Sequence, residues 1–319
     1  MHPVPAPRAS VIVPALNAEA TLGATLAGLA AQDLAEDFEV IVVDNGSTDG
    51  TAALAEGASL PVRVLRKDPG PAGSARNLGA ANAVGEILAF TDADCRPTPG
   101  WLREGLAAMG AADLVQGAVR PFHEVAPQPF DRTLWVTDDH GLFETASLFV
   151  HRGVFERVGG FEDWSTGTDM AVPFGEDTWF GWRAKRAGAS VRFAERAVVE
   201  HAVFRRSAAD YIRERRRAAA FPALVERMPE LRKRFLHRRW FLSERSLRFD
   251  LAAVALAAAL AWRAPWPLLG AVPYLLAIAR SASRWGRGGP RAALGEAAAD
   301  AQTLASLASG SLRHRTPVL

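Results

Sequence analysis

Apolar positions in the first 120 residues follow two alternating periods. Runs at 10–13, 39–43, 62–65, 87–90 and 114–119 read as strands, and 39–43 is a short apolar β-branched run, as expected of a buried parallel strand. Residues 18–31 carry Leu22, Leu26 and Leu29 at helical spacing, and 73–83 read as a further helix. The first strand is expected to stop at Pro14. This alternation predicts an α/β domain with a mostly parallel central sheet and right-handed crossovers. Ligands of such sheets bind beyond the carboxyl ends of the strands. The polar clusters 14–17, 44–48 and 91–94 fall at those ends.

Beyond residue 120 the pattern loosens. A strand is expected at 145–150, a short helix at 152–158 closed by Gly159-Gly160, and a polar loop at 163–175. A helix at 177–187 ends at Gly188, short strands follow at 191–193 and 197–200, and His201 comes directly after. Five divisions result: a tail 1–8, an α/β domain 9–204, a basic helical segment 205–250, an apolar helical hairpin or kinked segment 251–282, and a C-terminal helix and tail 283–319.

With 49 % hydrophobic and 23 % charged residues the chain can bury a core. The net charge of +2 argues for no particular partner, but residues 205–248 hold fourteen Lys and Arg against five Asp and Glu. The apolar runs 251–262 and 268–279 each fall short of the roughly 20 residues a spanning helix needs. Arg263 and Pro265, Pro267 and Pro273 interrupt them. With Trp240 and Phe241 in the basic run, this C-terminal part is expected to lie on an anionic membrane surface. The basic run lacks any recognised nucleic-acid module. The first ten residues lack the apolar core of a signal peptide. The expectation is a cytoplasmic catalytic domain held to the inner face of the cell membrane through 205–280. The one cysteine, Cys95, allows neither an intramolecular disulfide nor a Cys-based zinc site.

Candidate chemistry sits at the strand ends. Asp92 and Asp94 emerge together after an apolar strand, and hard divalent cations want such oxygen ligands. Glu176-Asp177 precedes a helix, where a carboxylate is stabilised and can serve as a general base. His201 offers an imidazole to a Mn2+-like metal. Arg76, at a helix start, could meet a phosphate or base. Trp101 and Trp164 could stack on a sugar or sit in the core. Taken singly, each also has an ordinary structural reading: an acidic turn, a helix cap, a structural histidine, a surface arginine.

In this order, however, the segments VIVPALN (11–17), VIVVDNGSTDGT (40–51), GSARNLG (73–79), LAFTDAD (88–94), FVHRGVFERVGGF (149–161) and GEDTWFGWR (175–183) resemble family 2 glycosyltransferases of the GT-A fold. The resemblance covers residues 9–201. It implies an inverting transfer of a sugar from a nucleotide-diphosphate donor, UDP foremost, to a glycan, lipid or small-molecule acceptor in cell-surface glycan or glycolipid synthesis. It implies that Pro14, Ala15 and Asn17 line the donor pocket. Asp44 would bond the nucleobase with Arg76 beside it, and Asp92 would contact ribose or metal. Asp94 and His201 would hold Mn2+ or Mg2+, and Asp177 would be the catalytic base. Glu176, Trp101 and Trp164 would face the acceptor. Ala15 and Ala18 depart from the polar residues often seen in the first loop, and Thr178-Trp179-Phe180 from the common acidic continuation after the base. The competing readings are a nucleotidyltransferase, which would release pyrophosphate, and a catalytically inactive, nucleotide-binding scaffold at the membrane. Neither a GxGxxG nor a P-loop motif occurs, which disfavours a dehydrogenase or a P-loop NTPase.

Overall fold

A computed structural model describes residues 7–162 and 174–319. The chain divides into two compact units, Met1–Val125 with Thr133–Val203, and Ala126–Arg132 with Phe204–Leu319.

In the first unit the order is β1 (Ala9–Ala15), α1 (Leu22–Ala30), β2 (Phe38–Asp44), α2 (Thr51–Glu56), β3 (Val62–Arg66), α3 (Ala72–Asn82), β4 (Ile87–Phe90) and β5 (Cys95–Pro97). Then come α4 (Trp101–Met109), β6 (Leu114–Pro121), β7 (Leu148–His151), α5 (Arg152–Arg157), α6 (Glu176–Arg186) and β8 (Val191–His201). The eight strands form one sheet in the order β3-β2-β1-β4-β7-β6-β8-β5. β1 to β4 pair in parallel, as do β6 and β8, while β7 runs antiparallel to β4 and β6, and β5 antiparallel to β8.

Both sheet faces are covered. Val11, Val13, Val40 and Val42 face a layer containing Leu22, Leu26 and Leu29 of α1 and Leu102 and Leu106 of α4. On the opposite face α3 lies so close that a Cβ added at Gly79 would come within 2.5 Å of Ile12. There Phe90, Phe155, Phe161 and Phe180 form an aromatic cluster with ring centroids 4.8–5.7 Å apart, a spacing that favours tilted and edge contacts.

The structure corrects four expectations. β1 runs through Pro14 to Ala15, because a proline at a strand's end forfeits only one ladder donor. Residues Thr145–Ser147 form a 3₁₀ turn, and the strand starts only at Leu148. The two short strands at 191–200 are one continuous β8, interrupted by an irregularity opposite Gly117 and Ala118, so His201 ends the strand instead of following it. β5 was too short, and too close to a proline, to read from periodicity; its pairing with β8 defines it. The expected polar loop lies largely outside the described residues.

The second unit is helical: α7 (Ala208–Glu214), a 3₁₀ turn (Arg215–Ala220), α8 (Phe221–Arg227), α9 (Leu231–Arg234), α10 (Glu244–Trp262), α11 (Val272–Ser283) and α12 (Gly289–His314). α10 stops at Arg263 in the left-handed region (φ 50°), followed by a 3₁₀ turn at Trp266–Ala271. Among the described residues no helix is long and apolar enough to cross a membrane. Much of the basic run is tied down within the unit. Arg205 pairs with Asp131, Arg206 with Glu214, Arg213 with Asp210, and Arg245 with Glu296 and Asp300.

Candidate active site

The site is the rim formed by the carboxyl ends of β1, β2 and β4. Pro14 and Ala15 are the last two residues of β1. Asn17 follows in the left-handed conformation (φ 48°), which Asn tolerates better than most residues. Its Oδ1 accepts the Thr48 N–H at 2.9 Å, while its own N–H donates to Ser47 Oγ at 3.0 Å. Asp44, buried at the end of β2, accepts the Ser47 N–H at 3.0 Å, the Asx turn that lets the chain leave the strand. Lys67 donates to Asn45, whose amide donates to the Gly70 carbonyl. The loops after the first three strands are therefore laced into one floor.

Arg76 is the hub. It projects from α3, is buried, and forks to two carboxylates: Nη2 to Asp92 Oδ1 at 2.8 Å and Nη1 to Glu176 Oε1 at 3.1 Å. Its guanidinium also lies 5.7 Å from the Phe161 ring centroid. Burial works against the charge, but Asp92 and then Glu176 outweigh it and hold the guanidinium pKa up.

Asp177 stands beside Glu176 in the first turn of α6, which Gly175 enters at φ 76°, a conformation only glycine adopts freely. Burial pushes the Asp177 carboxyl well up, and Glu176 and Glu144 add to it; Arg76 and the Thr178 N–H, 2.7 Å away, pull the other way. Glu144 is a functional candidate that sequence reasoning missed. Its carboxyl is pushed up to about 7 by burial and by Asp139 and Asp138. It lies in an irregular connection between β6 and β7, where no period marks it; the acidic cluster Asp138, Asp139 and Glu144 was the only available signal.

Pairing of β5 with β8 sets Cys95 opposite His201 and brings Asp94 alongside. The Ala202 N–H donates to the Asp94 carbonyl at 2.8 Å. His201 Nδ1 lies 2.6 Å from the Ala202 carbonyl, which can only accept, so the proton sits on Nδ1. In the neutral ring, Nε2 then carries the lone pair and faces Asp94 Oδ2 at 3.5 Å. Two electron-rich atoms set against each other fit a shared cation, and a carboxylate with an imidazole suits Mn2+ better than Mg2+. Cys95 lies within the same cluster, but burial, then Asp92 and Asp94, drive its thiol well up. It stays protonated and fills space.

Thus Arg76, Asp92, Glu176 and Asp177 share one electrostatic network, and Asp94 and His201 meet at the same rim. Trp101 does not belong to it. It is fully buried, tilted against Phe149 with ring centroids 5.0 Å apart, and its Nε1 donates to Ser147 at 2.9 Å. It is a core residue with its one donor satisfied, not a platform for a sugar. Trp164 lies outside the described residues.

Residues 10–160 match the model of Glycosyl transferase family 2. Glycosyltransferase AglE of Haloferax volcanii is 31 % identical over 210 residues, 61 % of this chain and 67 % of that protein. The chain belongs to glycosyltransferase family 2. Validoxylamine A glucosyltransferase of Streptomyces hygroscopicus subsp. limoneus is 31 % identical over 225 residues, 57 % of this chain but only 49 % of that relative, so the match spans about half of it. Among solved structures, the mannosyltransferase PcManGT from Pyrobaculum calidifontis, in complex with GDP-Man and Mn2+, superposes with a TM-score of 0.56 at 21 % identity, over 98 % of this chain and 88 % of that one. S. aureus TarS 1–349 in complex with UDP gives 0.52 at 20 % identity, over 97 % and 92 %. These two likenesses speak for the fold. In this glycosyltransferase Asp177 and His201 lie after the family-model match, so the geometry above is what ties them to the rim.

Proposed function

We propose that this glycosyltransferase moves a sugar from a nucleoside-diphosphate donor, UDP-linked, to an acceptor hydroxyl with inversion at the anomeric carbon, in the synthesis of a cell-surface glycan or glycolipid. The observation that carries the reading is the buried Arg76 fork, which ties the carboxylate after β4 to the carboxylate pair that opens α6.

The residues divide the work. Pro14, Ala15, Asn17 and Asp44 shape and polarise the floor on which a nucleoside would rest. Asp92, oriented by Arg76, is offered to the ribose. Asp94 and His201 would hold a divalent cation, which supplies charge to offset the leaving phosphate. Asp177 takes the acceptor proton. Its high proton affinity, set by burial and acidic neighbours, suits it to pull on a hydroxyl near neutral pH. Glu176, anchored by Arg76, faces the acceptor. Direct displacement needs no covalent intermediate and hence no nucleophilic Ser or Cys.

A thermal-shift panel of UDP-, GDP- and dTDP-sugars with Mn2+ or Mg2+ tests donor choice, because a ligand of the folded state raises its melting point. UDP-sugars with Mn2+ are expected to give the largest shift. Turnover with acceptor should release a nucleoside diphosphate; release of pyrophosphate would identify a nucleotidyltransferase instead. NMR of the product should show the anomeric configuration opposite to the donor's.

A further inference from the structure

The hairpin of the second unit has its polarity inverted. Where α10, α11 and α12 meet, Arg245 Nε and Nη2 donate to Asp300 at 2.9 and 2.7 Å, and Nη1 donates to Glu296 at 3.1 Å. The Tyr274 hydroxyl donates to Asp300 at 2.8 Å and Ser281 to Glu296 at 2.6 Å. Asp250 Oδ2 is enclosed in the same unit with no hydrogen-bond partner. The outward side is the reverse. Val254, Leu260, Trp262, Trp266, Leu269 and Leu276 all face solvent, with Leu269 73 % exposed and each tryptophan 61 %. Trp262 and Trp266 stack at 5.1 Å across the turn.

Charge is unevenly distributed along the same stretch. Between Asp250 and Arg280 the sole charged residue is Arg263. Arg280, Arg284, Arg287 and Arg291 then follow, all exposed, with no Asp or Glu until Glu296. Glu296 and Asp300 are taken up by Arg245, Ser281 and Tyr274, and none of these four arginines has an acidic partner among the described residues.

We infer that this hairpin is a membrane-docking surface, which seats its outward leucines and tryptophans in the boundary region of one leaflet of an anionic bilayer and sets Arg280, Arg284, Arg287 and Arg291 against lipid phosphates. An exposed apolar face of this extent marks an interaction site. Tryptophan prefers the water–hydrocarbon boundary, and arginine binds phosphate through several donors at once. Its helices are too short in their apolar parts to span, so the face docks and does not cross. A second copy of the chain is the poorer occupant, since it would bring two sets of unpaired arginines together. The basic run at 205–248, spent largely on internal ion pairs, is not the source of the attraction.

The test is co-sedimentation of the full chain with vesicles of phosphatidylcholine alone or mixed with phosphatidylglycerol. Binding to the anionic vesicles should exceed binding to the neutral ones at least tenfold and weaken as salt rises. Trp266→Glu combined with Leu269→Glu should cut binding tenfold or more while circular dichroism and melting temperature stay put. Changing the four arginines to Gln should erase the preference for anionic vesicles and leave weak residual binding. Equal binding to both vesicles, no binding to either, or binding untouched by the Trp266/Leu269 pair would each overturn the inference. A dimer in sedimentation velocity that this pair dissociates, with no lipid binding, would assign the face to a second copy instead. Donor-dependent melting shifts, measured on the same variants without vesicles, keep this test separate from that of the catalytic reading.

Discussion

The two units handle charge in opposite ways. In the first, strands and helices bury most large apolar side chains of the central strands, and carboxylates gather at the open rim, where strand ends leave room for ligands. In the second, Arg245, Asp300, Glu296 and Tyr274 bond to one another between helices, while leucines and tryptophans of the hairpin stay exposed. A rim of acids held by one buried arginine is built to take a polar ligand and a cation. Exposed leucines and tryptophans, beside charges that pair internally, suit surroundings other than water. Both follow from one rule: a charge leaves water only when a partner meets it, and an apolar surface stays exposed only when something else will cover it.

The contrast can be broken at its strongest point first. Asp177→Asn should lower kcat by about 10²–10⁴-fold, the range of a positioned acid–base group. Donor binding, read by calorimetry, should be nearly unchanged; loss of donor binding would sink the base assignment. Arg76→Met leaves Asp92 and Glu176 facing each other without their shared cation, and should cost about 3 kcal/mol in urea unfolding. A chelator should abolish activity and Mn2+ restore it, and His201→Ala should raise the Mn2+ needed for half-activation roughly tenfold or more, as expected for loss of a metal-site residue.

A finer probe is pH. As the proposed base Asp177 would have to be ionised, and its raised pKa should place the acid limb of kcat above the ordinary carboxylate range. Glu144→Gln removes a negative neighbour, so the limb should move to lower pH. The folded-state pKa of Glu144, near 7, lies above its unfolded value. Its ionisation therefore costs stability increasingly as pH rises through that window, and the same substitution should raise the melting temperature at pH 8 more than at pH 5. The smallest effect belongs to the second unit. Leu269→Ser should change stability by less than about 0.5 kcal/mol in calorimetric melting, because the side chain is exposed and packs little.

Much of the first unit was legible from local pattern alone. Buried parallel strands are apolar at almost every position, so β1, β2 and β4 stood out, and so did the polar turns that end them. What escaped was set by distant partners. β5 exists because β8 pairs with it, and Glu144 matters because the fold carries it toward Asp177. Trp101 was ambiguous because aromatic residues serve both cores and sugars; only its burial and the Ser147 hydrogen bond decide. The basic run read as one charged surface, since a sequence displays its arginines but not the acids that will meet them.

One side chain makes two distant parts of the rim answerable to each other. Arg76 and Glu176 stand 100 positions apart in the chain, and the same guanidinium grips Asp92 on its other side. Neither carboxylate can change its charge or its hydrogen bonds without altering the hold on its counterpart. Reciprocity then follows from thermodynamics: what a first ligand does at Asp92 is felt at Glu176, and a second ligand at Glu176 returns it in equal measure. A two-substrate reaction would gain from this a mutual coupling of its two binding events, carried by a single cation.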